Sequence, residues 1–419
     1  MFVSRPEDVD PERNVLALYY VESDLSLTEA GVRIAEEQSI GTWTEVSTLT
    51  EGARRLAAKV FKTSEKGPGS GLVWVAYPLE LFDLESGVPN VLSIVAGNLF
   101  GLSSLRNVRL LDLELPREFV QAFPGPKFGI EGVRRIVGTL GDRRPHVGTI
   151  VKPKVGLNPR ETAEVAYEAA VGGVDLVKDD ETLTNQSFCP IKERLPAVME
   201  ALDRVREETG RTVLYALNIT ARPDRLLDTA DWAVENGANM LMVDVLTAGF
   251  SAIRMLVEDP SISVPIHVHR TMHAAMTRNP KHGVDMMVIA KLVRLVGGDQ
   301  LHTGTAAGKM ESDVERLKEI NGFLRSDWHG LKTVFPVASG GIHPALVPEN
   351  VRVLGRDIVI QAGGGIHGHP MGTRAGARAM RQAVEAVMAG VPLEEYAKTH
   401  PELKVALEKW RYLGDGRSR

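Results

Sequence analysis

The stretch VGTIVKPKVGLNPRETAEVAYEAAVGGVDLVKDD, residues 147–180, decides the fold. A β-branched run over 147–153 leads to an amphipathic helical pattern over 161–173, and a second apolar run begins at Val174. Strand, helix and strand in this order predict a βαβ unit of a parallel sheet. The first turn, KPKVGLNP, lacks the glycine-rich pattern of an open dinucleotide-binding sheet. We therefore expect this unit to belong to a closed barrel.

The same alternation continues to the end of the chain and gives eight strand-helix units in about 250 residues, the size typical of a (β/α)8 TIM barrel. The six later strands are predicted in the runs TVLYALNIT, MLMVDVL, PIHVHRT, LHTGT, TVFPVAS and DIVIQAG. We assign residues 126–419 to the barrel, with a helical extension at its C-terminal end.

Residues 1–125 show a different pattern, which predicts a small ferredoxin-like α+β domain. The predicted strands are NVLALYYVES, TWTEVS, GLVWVAY and VRLLDLEL, and the predicted helices are LTEAGVRIAEEQ and a segment around EGARRLAAKVF. The segment PREFVQAFPGPKFGIEGVRR is rich in proline and glycine and is the predicted connection to the barrel.

Composition narrows the class of protein. The chain has 419 residues, 43% of them hydrophobic and 25% charged, and a net charge of -5, which gives no general attraction to nucleic acid or to an anionic membrane. Cys189 is the single cysteine, so neither an intrachain disulfide nor a cysteine-based zinc site is expected. With no signal peptide or membrane span in the sequence, we expect a cytoplasmic protein.

Active sites of such barrels lie where the strands end, and charged residues follow the first two strands. Side chains alternate along a strand, so Lys152 and Lys154 share one face after the first strand. Lys178 and Asp180 share the inward face after the second strand, Glu181 starts the loop, and Asp179 points away. Solvated lysines and a solvated acidic turn are the alternatives; carboxylates at a barrel mouth favour a Mg²⁺ site.

Lys178 is an unexpected neighbour for such a cation, since an ammonium group cannot be a metal ligand. An unperturbed lysine has a pKa of about 10.4, and neighbouring carboxylates favour its charged form. Capture of CO2 by the neutral amine would turn the residue into a carbamate, which is a third oxygen ligand beside Asp180 and Glu181. Carbamate formation and metal binding would then support each other.

Histidines gather at the fifth strand, where His267, His269 and His273 lie in PIHVHRTMHAAM, and a further one, His302, lies at the sixth. A His-x-His pair can bind zinc, and single histidines are often satisfied core residues. In amidohydrolase barrels the His-x-His pair precedes the carbamylated lysine, and here the order is reversed, which argues against zinc hydrolysis. Lys309 follows His302 on small residues that could form a lid.

The last two strands end in glycine-rich loops that contain Gly340, Gly341, Gly363 and Gly364. Loops at this place of a barrel commonly bind phosphate through backbone N–H groups. Across the mouth, three residues could hold a second phosphate: Arg270, His302 and Ser339. Two anion sites on either side of a metal predict a substrate that is phosphorylated at both ends.

With these residues identified, nearly the whole chain resembles the large subunit of ribulose-1,5-bisphosphate carboxylase/oxygenase (RuBisCO), most closely the archaeal form III type. The resemblance rests on eight ordered motifs: GTWT (41–44), GNLFG (97–101), KPKVGL (152–157), GGVDLVKDDE (172–181), HVHRTMHA (267–274), HTGTAAGK (302–309), SGGIHP (339–344) and GGGIHGHP (363–370).

The resemblance implies a role for each matching residue. Lys178, as a carbamate, Asp180 and Glu181 would hold one Mg²⁺ per active site, with CO2 as the activator. The catalytic residues would be Lys152, Lys178, His269 and Lys309. The substrate-binding residues would be Lys154, Arg270, His302, Ser339, Gly340, Gly341, Gly363 and Gly364, together with Glu37, Thr42, Trp43 and Asn98, which in the family enter the barrel of a partner subunit.

The implied reaction joins ribulose 1,5-bisphosphate to CO2 and gives two molecules of 3-phosphoglycerate, with O2 as the competing substrate. A homodimer or a ring of dimers without small subunits is expected, in nucleotide-ribose salvage or in carbon fixation. One departure is Ile150, where plant-type enzymes have a threonine that touches the substrate. RuBisCO-like enolases or isomerases of sulfur salvage are the alternative, and these typically lose the lid lysine that is present here.

Overall fold

The computed structural model describes residues 1–308 and 313–410. They form two compact units. The first contains Met1–Pro124, Met272–Val296 and Trp328–Leu331, and the second contains Gly125–Thr271, Gly297–Asp327 and the chain from Lys332 onward. No described helix is both long and apolar enough to span a membrane.

The strands of the described residues are, in chain order, β1 (Asn14–Glu22), β2 (Lys59–Gly67), β3 (Ser70–Pro78), β4 (Asn107–Glu114), β5 (His146–Ile150), β6 (Leu176–Lys178), β7 (Leu214–Asn218), β8 (Met240–Asp244), β9 (Ile266–His269), β10 (Gly283–Val284), β11 (Gln300–His302), β12 (Phe335–Ser339) and β13 (Val359–Gln361).

The α-helices are α1 (Leu27–Ala35), α2 (Glu51–Arg55), α3 (Val88–Val95), α4 (Arg117–Gln121), α5 (Gly129–Val137), α6 (Pro159–Gly172), α7 (Ile191–Thr209), α8 (Pro223–Glu235), α9 (Val245–Ala248), α10 (Phe250–Glu258), α11 (Ala274–Thr277), α12 (Met286–Val296), α13 (Val314–Arg325), α14 (Val347–Leu354), α15 (Gly364–His367), α16 (Thr373–Ala389), α17 (Leu393–Tyr396) and α18 (Pro401–Trp410). A π-helical turn, Glu36–Ile40, continues α1, and 3-10 turns occupy Pro6–Asp8, Leu79–Leu81, Leu99–Gly101 and Pro344–Leu346.

The first unit is built on a five-stranded sheet in the order β10-β4-β1-β3-β2. β1 runs antiparallel to both β3 and β4, and β2 runs antiparallel to β3. This order with the helices α1 and α3 between the strands is the ferredoxin-like topology that the sequence predicts. The short β10 adds a parallel strand beside β4.

The second unit is the predicted barrel, closed by eight strands in the order β11-β12-β13-β5-β6-β7-β8-β9. All its neighbouring strands are parallel, so their C-terminal ends meet at one mouth. A buried apolar cluster includes alternate strand residues such as Leu176, Leu214 and Phe335, together with Ile130 and Val133 of α5. The TIM-barrel assignment is therefore confirmed.

Two predictions for the first unit are wrong in detail. TWTEVS, residues 42–47, forms no strand; it is mostly exposed and pairs with none of the described strands. The helix predicted around EGARRLAAKVF ends at Arg55, since Lys59 already begins β2 and pairs with Ala76 of β3. Pairing with β3 makes the residues from Lys59 onward a strand although their sequence favours a helix. Without a pairing strand, residues 42–47 do not form the strand that their sequence favours.

Candidate active site

Lys178 is the last residue of β6, and its side chain is 1% exposed. Its Nζ donates to the backbone oxygen of Asp179 at 2.6 Å and lies 3.7 Å from Oε2 of Glu181. Burial lowers the pKa of Lys178 below its ordinary value, and the attraction of Glu181, Asp180 and Asp244 only partly opposes this effect. A buried amine with a lowered pKa is more readily deprotonated, so a larger fraction of it is in the neutral form that can act as a nucleophile.

Asp180 faces the mouth of the barrel and meets a lysine from the neighbouring strand end. Nζ of Lys152 lies 2.6 Å from Oδ2 of Asp180, while the backbone N–H and the hydroxyl of Thr182 donate to Oδ1. Burial alone would raise the pKa of Asp180, but these hydrogen bonds outweigh it and the pKa is lowered. Asp180 is therefore a carboxylate at neutral pH, paired with a partly exposed lysine.

Asp179 lies on the other face of the strand end, as the alternation predicts. Its carboxylate accepts a hydrogen bond from the hydroxyl of Tyr215 at 2.6 Å and from the backbone N–H of Asn218 at 2.9 Å. A guanidinium nitrogen of Arg194, on α7, lies 3.2 Å away, and both side chains are fully buried. Asp179 thus connects the end of β6 with β7 and α7 through these contacts. Of the three successive carboxylates, Asp180 and Glu181 remain for the mouth of the barrel.

Two further polar residues, Asn218 and Asp244, end β7 and β8, and the sequence reasoning missed both. The side-chain amide of Asn218 donates to the backbone oxygens of Asp180 and Glu181, at 3.3 and 3.1 Å, which fixes the loop that carries both carboxylates. Asp244 is 3% exposed, and its Oδ1 has no hydrogen-bond partner among the described residues. The available signal was a polar residue at the C-terminal end of a barrel strand.

His269, at the end of β9, stands between two carboxylates. Its Nδ1 accepts a hydrogen bond from the backbone N–H of Thr271 and lies 3.4 Å from Oδ1 of Asp244. Its Nε2 lies 3.8 Å from Oε2 of Glu181. Because Nδ1 acts as an acceptor, a neutral His269 carries its hydrogen on Nε2, on the side of Glu181.

His302 is 3% exposed and already uses both ring nitrogens. Nε2 lies 2.8 Å from Nε2 of His267, and Nδ1 lies 2.8 Å from the hydroxyl of Ser339. Burial lowers the pKa of His267 to about 3 and that of His302 well below its ordinary value. Both rings are therefore neutral at physiological pH. Neither nitrogen of His302 is left over for a phosphate in this arrangement.

Arg270 follows His269 and is the cation at this side of the mouth. Burial lowers its pKa to about 10, and no carboxylate of the described residues offsets that effect. The guanidinium group is therefore still charged at neutral pH, which suits an anionic ligand. Of the three residues predicted to hold this phosphate, Arg270 is the one that carries a positive charge.

The glycine loops lie after β12 and β13, as predicted. Gly340 and Gly341 have φ of 122° and 77°, values that favour glycine. A Cβ on Gly363 would stand 3.6 Å from Cε of Lys152, so this loop adjoins the lysine that follows β5. A Cβ on Gly308 would collide with the backbone oxygen of Gly340, so the chain that leads to Lys309 packs directly on the first loop.

Asn350, on α14, makes hydrogen bonds to the segment 305–307, which leads to Lys309. It is fully buried, and its Oδ1 accepts from the hydroxyl of Thr305 at 2.6 Å and from the backbone N–H of Ala306 at 3.0 Å. Its amide donates to the backbone oxygens of Ala307 and Leu346. Residues 305–307 are thereby fixed. Lys309 itself lies outside the described residues.

The remaining predicted residues are on the surface of their units. Lys154 is exposed on the loop after β5. In the first unit, Asn98 donates to Oε1 of Glu37 at 3.4 Å, so these two residues are brought together. Thr42 forms a local turn with Thr44, and Trp43 is 85% exposed.

Comparison with known proteins accounts for both units. Residues 6–119 match the family model "Ribulose bisphosphate carboxylase large chain, N-terminal domain", and residues 129–410 match "Ribulose bisphosphate carboxylase large chain, catalytic domain". The chain belongs to the RuBisCO large-chain family. Similar relatives include the ribulose bisphosphate carboxylases of Pyrococcus abyssi, 47% identical over 96% of this chain and 95% of the relative, and of Methanocaldococcus jannaschii, 47% identical over 92% and 94%.

Solved RuBisCO structures have the same fold. An octameric RuBisCO from Pyrococcus horikoshii, crystallised with sulfate ion, superposes with a TM-score of 0.93 at 45% identity, over 98% of this chain and 96% of that one. A dimeric archaeal RuBisCO from Hyperthermus butylicus superposes with a TM-score of 0.89 at 43% identity, over 97% and 98%. The resemblance read from the eight motifs is therefore confirmed.

The donor set at the mouth is one ligand short of a metal centre. Among the described residues there is no group of three His, Cys, Asp or Glu side chains that could hold a metal ion. Asp180 and Glu181 supply two hard oxygen ligands, which suit Mg²⁺. The group beside them is Lys178, whose burial disfavours the charged form of its amine. This set fits Mg²⁺ provided that the lysine itself becomes an oxygen donor.

Proposed function

We propose that this RuBisCO-family chain carboxylates ribulose 1,5-bisphosphate with CO2 to give two molecules of 3-phosphoglycerate, with O2 as the competing substrate. The observation that carries the proposal is the strand end of β6, where the buried Lys178 lies beside Asp180 and Glu181 and where Lys152 contacts Asp180. Its relatives across almost the full length are ribulose bisphosphate carboxylases.

Activation begins at Lys178. Its neutral amine attacks CO2 and loses one proton, which gives a carbamate with two oxygen atoms in place of an ammonium group. The lowered pKa of the buried amine supports this step. The carbamate oxygen, Asp180 and Glu181 would hold one Mg²⁺ per site. When bound, Mg²⁺ would supply Lewis-acid stabilisation of the negative charge that develops on the substrate oxygens.

The residues around this centre move protons and orient the sugar. Lys152, a hydrogen-bond partner of Asp180, would exchange protons with the reacting carbons, while Asp180 would be one of the residues that hold Mg²⁺. His269 directs Nε2 toward the same centre and is the candidate for proton transfer at the 3-hydroxyl. Lys154 would polarise the substrate beside Lys152, and Lys309 would stabilise the incoming CO2 and the new carboxylate.

The two phosphates are assigned to opposite sides of the mouth. Arg270 would supply its charged guanidinium group on one side, near His302 and Ser339. On the other side Gly340, Gly341, Gly363 and Gly364 allow backbone N–H groups to approach a phosphate closely. Thr42 and Trp43 of a second subunit would complete this second site.

We propose an obligate homodimer, or a ring of dimers, that works without a small subunit. In it, residues 126–419 form the catalytic barrel, and residues 1–125 form the domain that reaches a partner's site. Solved relatives are dimeric or octameric. The contact of Glu37 with Asn98 supports the proposal, because it brings two of the residues assigned to the partner's site together, and Trp43 of the same unit is 85% exposed. Salvage of nucleotide ribose is the proposed pathway.

The test uses purified protein with Mg²⁺, labelled bicarbonate and ribulose 1,5-bisphosphate. We expect labelled 3-phosphoglycerate from the wild type. Lys309→Met should abolish labelling but keep detectable exchange of the C3 proton, because enolisation does not need the lid lysine. A wild-type protein that exchanges the C3 proton and fixes no label would instead be an enolase-type relative.

A further inference from the structure

The π-helical turn Glu36–Ile40 contains a buried glutamine directly after Glu37. Gln38 is 9% exposed, and its side-chain amide donates to the backbone oxygen of Ile94 at 2.7 Å. A carbonyl oxygen has no hydrogen to give, so the nitrogen of the amide must face Ile94. Gln38 thus connects the π-helical turn with the C-terminal end of α3, 56 residues further along the chain.

The C-terminal end of α3 is held by side chains from other elements of the first unit. The last four carbonyl groups of an α-helix have no partner inside the helix, and Ile94 and Val95 are the last two residues of α3. The hydroxyl of Tyr19, on β1, donates to the oxygen of Val95 at 2.6 Å, as Gln38 does to that of Ile94. These two bonds fix the point at which the chain leaves α3.

The chain after α3 leaves room for the glutamine. Gly97 has φ of 31°, and a Cβ on it would stand 2.9 Å from both the oxygen and the nitrogen of the Gln38 amide. A side chain at position 97 would therefore displace the amide. Asn98 follows directly and donates to Oε1 of Glu37 at 3.4 Å. The dipeptides Glu37–Gln38 and Gly97–Asn98 thus meet in two contacts, a buried one through Gln38 and an exposed one through Glu37.

We propose that Gln38 is a positioning residue: it holds the end of α3 against the π-helical turn and so keeps Asn98 beside Glu37, in the arrangement that enters a partner's barrel. The proposal rests on the function proposed above, in which Glu37 and Asn98 bind substrate in the site of a second subunit. π-helical turns are frequent at functional sites. In this turn, Glu37 reaches the substrate and Gln38 anchors the backbone that carries it.

Hydrogen exchange of the free protein tests the anchoring without any activity assay. Gln38→Leu keeps a side chain of similar size but removes the donor to Ile94. The backbone N–H groups of Gly97, Leu99 and Gly101 are hydrogen-bonded in this segment. We expect them to exchange about tenfold faster in the variant, because the loss of one hydrogen bond changes a local opening equilibrium by roughly that factor. Unchanged exchange would overturn the proposal.

Ser39→Ala is the matched control within the same turn. The hydroxyl of Ser39 donates to the backbone oxygen of Ala35 at 2.5 Å and accepts from the backbone N–H of Ala58 at 3.0 Å. Both partners lie outside α3, so this variant should unfold more easily but keep the wild-type exchange after α3 and the wild-type kcat/KM. Faster exchange after α3 in Ser39→Ala, equal to that in Gln38→Leu, would contradict the specific role of the glutamine.

Kinetics of mixed dimers test the consequence for the site. Gln38→Leu should lower kcat/KM for ribulose bisphosphate roughly ten- to a hundredfold, since a displacement of about 1 Å at a site can cost that much. Chains with Gln38→Leu are then paired with chains that carry Lys178→Met, and the mixed dimers are purified through two different affinity tags. One of the two sites combines the intact barrel of the first chain with the intact N-terminal domain of the second, so we expect about half of the wild-type activity.

The control for the mixed dimers places both substitutions on one chain and pairs it with a wild-type chain. Neither site is then intact, and the activity should stay near that of Gln38→Leu alone. Equal activity of the two arrangements, or wild-type kcat/KM in the Gln38→Leu homodimer, would overturn the proposal. A wild type that fixes no CO2 would refute the proposed function instead, and hydrogen exchange would still decide whether Gln38 anchors the end of α3.

Discussion

The opposite roles of Asp179 and Asp180 can be separated by one substitution at each position. Asp179→Asn keeps the shape of the side chain but removes the charge that faces Arg194 at 3.2 Å, where both groups are fully buried. Breaking a buried pair typically costs about 3–5 kcal/mol, because the remaining charge is left uncompensated.

Arg194 keeps three neutral acceptors in the variant: the backbone oxygens of Cys189 and Thr184, at 2.5 and 2.7 Å, and the hydroxyl of Tyr215 at 3.2 Å. We therefore expect the lower end of the range, a loss of about 3 kcal/mol in the free energy of unfolding. For a unit of this size that corresponds to a fall in Tm of roughly 6–12 °C.

The assay is thermal and urea unfolding, followed by Mg²⁺-dependent carboxylation below the Tm. Asp180→Asn is the matched control, because its lysine partner is partly exposed; it should cost only about 1 kcal/mol of stability and yet abolish activity. A loss of less than about 1 kcal/mol in Asp179→Asn would refute the assignment of Asp179 to the structural face.

Two further predictions concern buried polar groups. Asn350→Leu should lower the free energy of unfolding by at least about 2 kcal/mol, because it leaves the backbone groups of residues 305–307 unpaired. In the control Asn321→Leu, both side-chain polar atoms of the asparagine lack a partner within 1–308 and 313–410, so urea unfolding should show no loss, and equal losses in the two variants would contradict this expectation. Burial raises the pKa of Asp299 to about 6, so its folded form binds a proton more tightly than the unfolded chain does. Its contribution to stability should fall as the pH rises from about 4 to 6, and a stability difference from Asp299→Asn that stays constant with pH would contradict this.

Strand periodicity predicted most of the architecture of the barrel. The runs that ended in Lys178, His269, His302 and Ser339 are strands of the barrel, and their last residues meet at one mouth because all eight strands are parallel. The same alternation placed Asp179 behind the strand. These features depend on local spacing alone, which a sequence shows directly.

Interactions between distant segments were beyond the reach of the sequence. Asn218 and Asp244 looked like ordinary ends of apolar runs, and only the closed sheet brings them to the loop of Asp180 and Glu181 and to His269. His302 was expected to bind phosphate, but contacts across β9 and β12 occupy both its nitrogens. Periodicity specifies which face a side chain takes, and it does not specify which partner is found there.

We propose that Lys178 becomes a metal ligand only after it has captured CO2. This dependence is measured by titration calorimetry of Mg²⁺ with the wild type and with Lys178→Met, each in CO2-equilibrated and in CO2-free buffer. We expect one Mg²⁺ per site for the wild type with CO2, much weaker binding without CO2, and no CO2-dependent binding to Lys178→Met. Equal Mg²⁺ affinity of the wild type in both buffers, or retention of CO2-dependent binding by Lys178→Met, would contradict it.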